Sequence, residues 1–167
     1  MNFQNKLIKM DACNDAVKYC HGYKTLSSAW DVCERGDWML WLVGKLSGPT
    51  ESPSRKKLVL CACECARLSL KYVKEGELRP LKAIETAEKW ARGEDGKSLQ
   101  EVKNAASAAA AADAAAAAAY AAYAAYAAAD AVAAAAYAYA AYAAIKKEIL
   151  KACADICRKH YPKAPKL

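Results

Sequence analysis

Large apolar side chains are scarce in this sequence. Its 167 residues include one phenylalanine (Phe3) and three methionines, and alanine carries much of the 56% hydrophobic content. A core of ordinary volume must therefore draw on tyrosine and tryptophan. Histidine is almost as scarce, with only His21 and His160. The G-x-S-x-G, P-loop, G-x-G-x-x-G and H-E-x-x-H patterns are all missing, which removes the common hydrolase, nucleotide-binding and metalloprotease readings. Cys157 and His160 stand three apart, but no third group is placed to orient the imidazole, so they are not read as a nucleophile pair. The expectation is a protein that is not an enzyme and has no cofactor.

Other absences narrow the fold. No stretch alternates with period two, which excludes a sheet. Neither glycine nor proline occurs from Leu99 to Tyr161. The polar start Met1-Asn-Phe-Gln-Asn-Lys6 lacks an apolar leader core, so a cytoplasmic protein is expected. The alanine-rich segment described next is long enough for a bilayer, but it carries Asp113 and Asp130 and alanine is weakly lipophilic, so no membrane span is expected. It also lacks threonine, which removes the regular Thr/Ala face of an ice-binding helix.

What is present is alanine. From Ala105 to Ala144, 30 of 40 residues are alanine and six are tyrosine: Tyr120, Tyr123, Tyr126, Tyr137, Tyr139 and Tyr142. Alanine has the highest helix propensity and allows close helix approach. A single helix over about 60 residues would be roughly 90 Å long, whereas a compact domain of this size has a radius of gyration near 15 Å. The tract is therefore expected to fold back, near Ser107–Asp113 or near Asp130, where aspartate can cap a new helix. Two readings remain for the tyrosines. They fill gaps between alanine-lined helices, or they form rigid amphipathic contact area for a partner.

Before the tract, local signals place helices over 11–20, over 26–33 with Thr25 as N-cap, and over 38–46 with Asp37 as cap after a break at Gly36. A loop follows over 47–53, then a long helix over 54–73. Pro80 opens a helix ending near Gly93, and Ser98 with Glu101 forms a capping box. Trp30, Trp38, Trp41 and Trp90 are read as core anchors, with a ligand cage near Trp38 and Trp41 as the sharper alternative. Arg35-Gly36-Asp37 spells an integrin tripeptide, which is explained here by turn and cap. Glu64 and Arg67 are spaced to pair along one helix. The whole is an all-α, compact multi-helix bundle with tightly packed Ala/Tyr-rich helices in its C-terminal half. It reads as one domain over 1–167: Trp/Cys-rich helices over 1–97, Ala/Tyr-rich helices over 98–161, and a tail over 162–167.

The net charge is +7. A basic end holds Lys146, Lys147, Lys151, Arg158 and Lys159. It suits an acidic partner or nucleic acid, or is simply a solvated face complementing a helix C-terminus. There are eight cysteines, expected to be thiols in a reducing compartment. Cys61 and Cys65 share a helix face, as do Cys153 and Cys157. On facing helices these four are candidates for a four-thiolate zinc site, although C-x-x-C is absent. The preferred reading is that they fill close helix contacts as small apolar residues, with no metal.

Several strings together carry a family likeness: Thr25-Leu26, Ala29-Trp30, Arg35-Gly-Asp-Trp38-Met-Leu-Trp41-Leu42, the run from Leu58 to Leu70, Arg79-Pro80, Ala83-Ile-Glu-Thr-Ala-Glu-Lys-Trp90, the Ala/Tyr tract and Cys153-Ala-Asp-Ile-Cys-Arg-Lys-His-Tyr-Pro162. Over nearly its whole length the chain resembles a family of alanine-rich immunity proteins found in bacterial and phage genomes. The resemblance implies a non-enzymatic protein-binding inhibitor, either neutralising a toxin or blocking a host defence system as a phage product. Its protein target would be a toxin or defence nuclease, met by the six tract tyrosines and the five basic residues named above. The alternative is a nucleic-acid-binding module using the same cations and tyrosines.

Overall fold

The computed structural model describes the backbone over residues 2–105, 107–108 and 132–167, and the side chains over the same residues except 132–143. Every regular element among the described residues is a helix, so the fold is all-α. The order is α1 (Phe3–Lys9), α2 (Asn14–Cys20), α3 (Leu26–Val32), α4 (Gly36–Leu46), α5 (Pro53–Arg67), a 3₁₀ turn (Leu70–Tyr72) and α6 (Arg79–Arg92). Then come α7 (99–105) and α8 (Val132–His160). No described helix is long and apolar enough to cross a membrane. The chain divides into two compact units: Met1–Cys65 with Leu150–Leu167, and Ala66–Ile149.

In the first unit the short helices are fixed by their caps. Asn2 accepts the Asn5 N–H at 2.9 Å, which starts α1, a helix the sequence reading missed. Asp11 takes a left-handed conformation (φ 65°), so the next helix does not begin there; α2 starts at Asn14 with Cys13 as its N-cap. Thr25 and Ser28 form the reciprocal cap of α3, with Ser28 N–H donating to Thr25 Oγ1 at 3.1 Å. α4 begins at Gly36. Asp37 is thus not its cap but lies in its first turn, where a carboxylate complements the helix dipole. Arg35 forks onto Asp37 at 2.9 and 2.7 Å.

The core of this unit gathers Leu7, Trp30, Met39, Leu42, Leu58, Cys61, Ala154 and Cys157, with Trp38 and Trp41 half-buried against it. Burial of each large side chain here contributes about 1.5–3 kcal/mol. Trp30 Nε1 donates to the Tyr161 carbonyl at 3.1 Å. The segment read as a tail packs as well: Ala164 and Leu167 lie against the core beside Tyr161, and Lys6 Nζ donates to the Leu167 carbonyl oxygen at 3.0 Å.

In the second unit the helix ends at Arg67, not near Val73. Bonds of the i→i+3 type, Ser69 N–H to Ala66 O and Tyr72 N–H to Ser69 O, both 3.0 Å, tighten the chain, and Val73 is extended. Arg67 does not pair with Glu64. It forks onto Glu88 of α6 at 2.9 Å for each bond. Pro80 sits in the first turn of α6, and Gly93 ends it in the left-handed region (φ 74°), with Glu94 N–H reaching back to Lys89 O at 2.8 Å. Ile84, Trp90 and Ala91 are buried. The expected box at the start of α7 is present: Ser98 N–H donates to Glu101 Oε2 at 2.9 Å, and Glu101 N–H to Ser98 Oγ at 3.2 Å. The expected fold-back points, near Ser107–Asp113 and near Asp130, lie outside the described residues except for the helical 107–108, as does the packing of most of the Ala/Tyr tract.

Candidate functional site

α8 carries most of the residues that the sequence singles out. Tyr120, Tyr123 and Tyr126 lie outside the described residues. Tyr137, Tyr139 and Tyr142 belong to α8, with their side chains outside the described set. Lys146 and Lys147 are exposed. Lys151 meets Glu34 at 2.8 Å, and Lys159 meets Glu64 at 2.7 Å. Both are surface pairs, and such pairs are worth little. His160 Nε2 also meets Glu64, at 2.8 Å, so it is turned to a carboxylate rather than held as a base for Cys157.

Arg158 has a different role. Its Nη1 donates to the carbonyls of Cys33 at 2.7 Å and Trp30 at 3.3 Å, and its Nη2 to Asp155 at 2.6 Å. Both carbonyls lie at the end of α3, where the Trp30 carbonyl also accepts the Cys33 N–H at 3.3 Å. The guanidinium therefore ties α8 to α3 and is an internal bracket, not a cation presented to solvent.

The four candidate thiols come together inside the first unit. Cys61 and Cys65 face α8 from α5, and Cys153 and Cys157 face α5 from α8. All four are buried, between 0% and 7% exposed. Cys61 and Cys157 sulfurs are 3.9 Å apart, and the sulfurs of Cys61, Cys65 and Cys157 all lie within 4.8 Å of one another. Cys153 joins through its backbone: Cys65 Sγ donates to the Cys153 carbonyl at 3.8 Å, while its own sulfur lies outside the close group of three. Hydrogen bonds from Cys157 and then Cys65 pull the Cys61 thiol below the ordinary range, against the opposing effect of burial. Cys157 is pushed up by its bond to Cys61, while interaction with Cys65 lowers Cys153. All eight cysteines are free.

Two features beside the thiols were not legible in the sequence. Gly36 stands against α8 where no side chain fits: a Cβ there would lie 2.3 Å from Cys153 Cβ and 2.7 Å from Ala154 N. The glycine that looked like a helix stop is a close-packing residue at a helix start. The Tyr161 hydroxyl is buried with no hydrogen-bond partner among the described residues. Burial, then the neighbouring Cys61 and Cys157, push its pKa up to about 12. Neither helix periodicity nor capping rules signal such a contact.

The tryptophan segment is core, as expected for Trp30. Arg35 lies over the Trp38 ring at 4.1 Å. A cavity of about 50 Å³ touches Tyr19, Trp30, Trp38 and Trp41. A water molecule takes up about 30 Å³ in the liquid, so this space is far below what a drug-sized ligand occupies.

Compared with known proteins, the chain matches no protein-family model, no curated protein and no solved structure.

Proposed function

We propose that this chain is a non-enzymatic, protein-binding inhibitor of the immunity type, which neutralises a toxin or, as a phage product, blocks a host defence system. The observation that carries the reading is the make-up of α8 around Tyr137, Tyr139, Tyr142 and the exposed Lys146 and Lys147. Tyrosine residues followed within three turns by exposed cations suit a protein surface with an acidic rim. The family resemblance of the tryptophan and α5 strings supports the same reading.

Nucleic-acid binding has less support. Of the five cations that reading needs, Arg158 is spent on backbone carbonyls. A phosphate-binding surface relies on cations released to the backbone of the nucleic acid.

Affinity capture from host lysate tests the proposal, with the native chain beside Lys146→Glu/Lys147→Glu and with nuclease added or omitted. The expected result is one dominant protein that survives nuclease and is lost with the double variant. Loss of every partner on nuclease treatment overturns the reading in favour of nucleic acid.

A further inference from the structure

The four thiols between α5 and α8 are more than small apolar filling. We propose that Cys61, Cys65, Cys153 and Cys157 form a closed, four-thiolate site for a single tetrahedral zinc ion. Each helix supplies two sulfurs four residues apart, which is the helical spacing that puts both on one face. Zinc ribbons and fingers take their C-x-x-C from turns, whereas two packed helices reach the same donor set with C-x-x-x-C on each. A tetrahedron of sulfurs at a Zn–S distance of about 2.3 Å has edges of about 3.8 Å. The Cys61–Cys157 separation is 3.9 Å, and Cys65 joins both within 4.8 Å. Cys153, one turn before Cys157 and with its carbonyl 3.8 Å from the Cys65 sulfur, supplies the fourth corner once its side chain turns toward the other three.

This spacing matches one ion. A multi-iron cluster would hold some of its cysteine sulfurs farther apart, because several metal and sulfide atoms lie between them. A disulfide needs the sulfurs at about 2.05 Å, and none of these cysteines is bonded. The burial of all four leaves no open coordination position for water or substrate, which marks a structural centre and not a catalytic one. Loading balances as four thiols plus Zn²⁺ giving a tetrathiolate of charge −2 and up to four protons released. One donor is near that charge: the buried Tyr161 hydroxyl has no partner among the described residues and neighbours Cys61 and Cys157. The inference is independent of the partner-binding reading, since a structural zinc suits any helical protein short of large core side chains.

The full chain, purified under reducing conditions and stripped of metal, is titrated with Zn²⁺ and separately with Co²⁺. In denaturant that opens the metal-free chain to a thiol-reactive dye, one equivalent of zinc is expected to shield four of the eight thiols. Cobalt is expected to give the thiolate charge-transfer and d–d bands of a tetrahedral tetrathiolate. Cys153→Ala is expected to weaken zinc binding more than about 100-fold, beyond the effect of losing an outer-shell partner. Cys20→Ala, at a buried thiol outside the group, is expected to leave it unchanged. No shielding in the native chain, octahedral cobalt spectra, or a Cys61–Cys157 disulfide with no metal uptake overturns the proposal. Because shielding is read on the native chain, a variant that fails to fold does not obscure the answer.

Discussion

Gly36 and Cys153 are in contact so close that a methyl group on Gly36 would stand 2.3 Å from Cys153 Cβ. The start of α4 is thereby pressed against the turn of α8 that carries Ala154, which is fully buried. The same turn carries Cys153, so the glycine sets how closely its Cβ approaches α4.

Gly36→Ala is therefore expected to destabilise the protein, although alanine is the better helix former. Propensity favours the substitution by about 1 kcal/mol. Overpacking against backbone atoms, which cannot rotate away, costs about 1–3 kcal/mol or more. Chemical denaturation is expected to show a lower midpoint. A midpoint equal to or above that of the native chain would mean that α4 and α8 separate freely.

Arg158 provides a test that separates an internal bracket from a surface cation. Arg158→Ala removes three hydrogen bonds and leaves the Cys33 carbonyl without its donor, at an expected cost of about 1–3 kcal/mol. Lysine restores one donor without the fork, so Arg158→Lys is expected to recover only part. Lys159→Ala, one residue along, loses an exposed pair and is expected to cost under about 1 kcal/mol. Equal losses at 158 and 159 would refute the bracket.

These two residues also show where sequence reasoning stops. The caps at Thr25 and Ser98, the glycine stop of α6 and the proline in its first turn were all legible, because each is a local bond between residues a few positions apart. The Cys-x-x-x-Cys spacings were legible for the same reason. That α5 and α8 turn those faces toward each other was not, since it depends on packing across about 90 positions. Likewise Glu64 and Arg67 are spaced to pair, yet each found a forked or doubled partner on another segment. Arg158 looked like one more member of a basic face, and only its distant carbonyls reveal its use.

Acid stability is expected to depend on Glu88. The Arg67 fork holds its carboxyl below the ordinary glutamate value, against a smaller opposing effect of burial, and its side chain is only 13% exposed. A group with a lowered folded pKa adds stability above its unfolded pKa, about 4.3. That contribution is lost as pH falls through the folded value. Glu88→Gln is expected to cost about 1 kcal/mol at neutral pH, and the difference is expected to vanish at the acid end. Thermal melts of both proteins from neutral pH downward check this. A gap that persists at the lowest pH would assign the effect to packing instead of charge.

Tyr161 links stability to the proposed metal. In the metal-free protein its buried hydroxyl has no partner among the described residues. Its ring keeps Lys57 at 4.9 Å whether or not the oxygen is present. Removing an unsatisfied buried hydroxyl relieves a desolvation cost, so Tyr161→Phe is expected to leave the metal-free melting temperature unchanged or raise it. With zinc bound, the hydroxyl gains a thiolate to donate to, and the same substitution is expected to weaken zinc binding by about 10-fold, the usual scale for an outer-shell donor. Paired melts and zinc titrations of the two proteins read both signs. A metal-free protein destabilised by the substitution would show that the hydroxyl is already satisfied, and it would remove Tyr161 from the surroundings of the thiols.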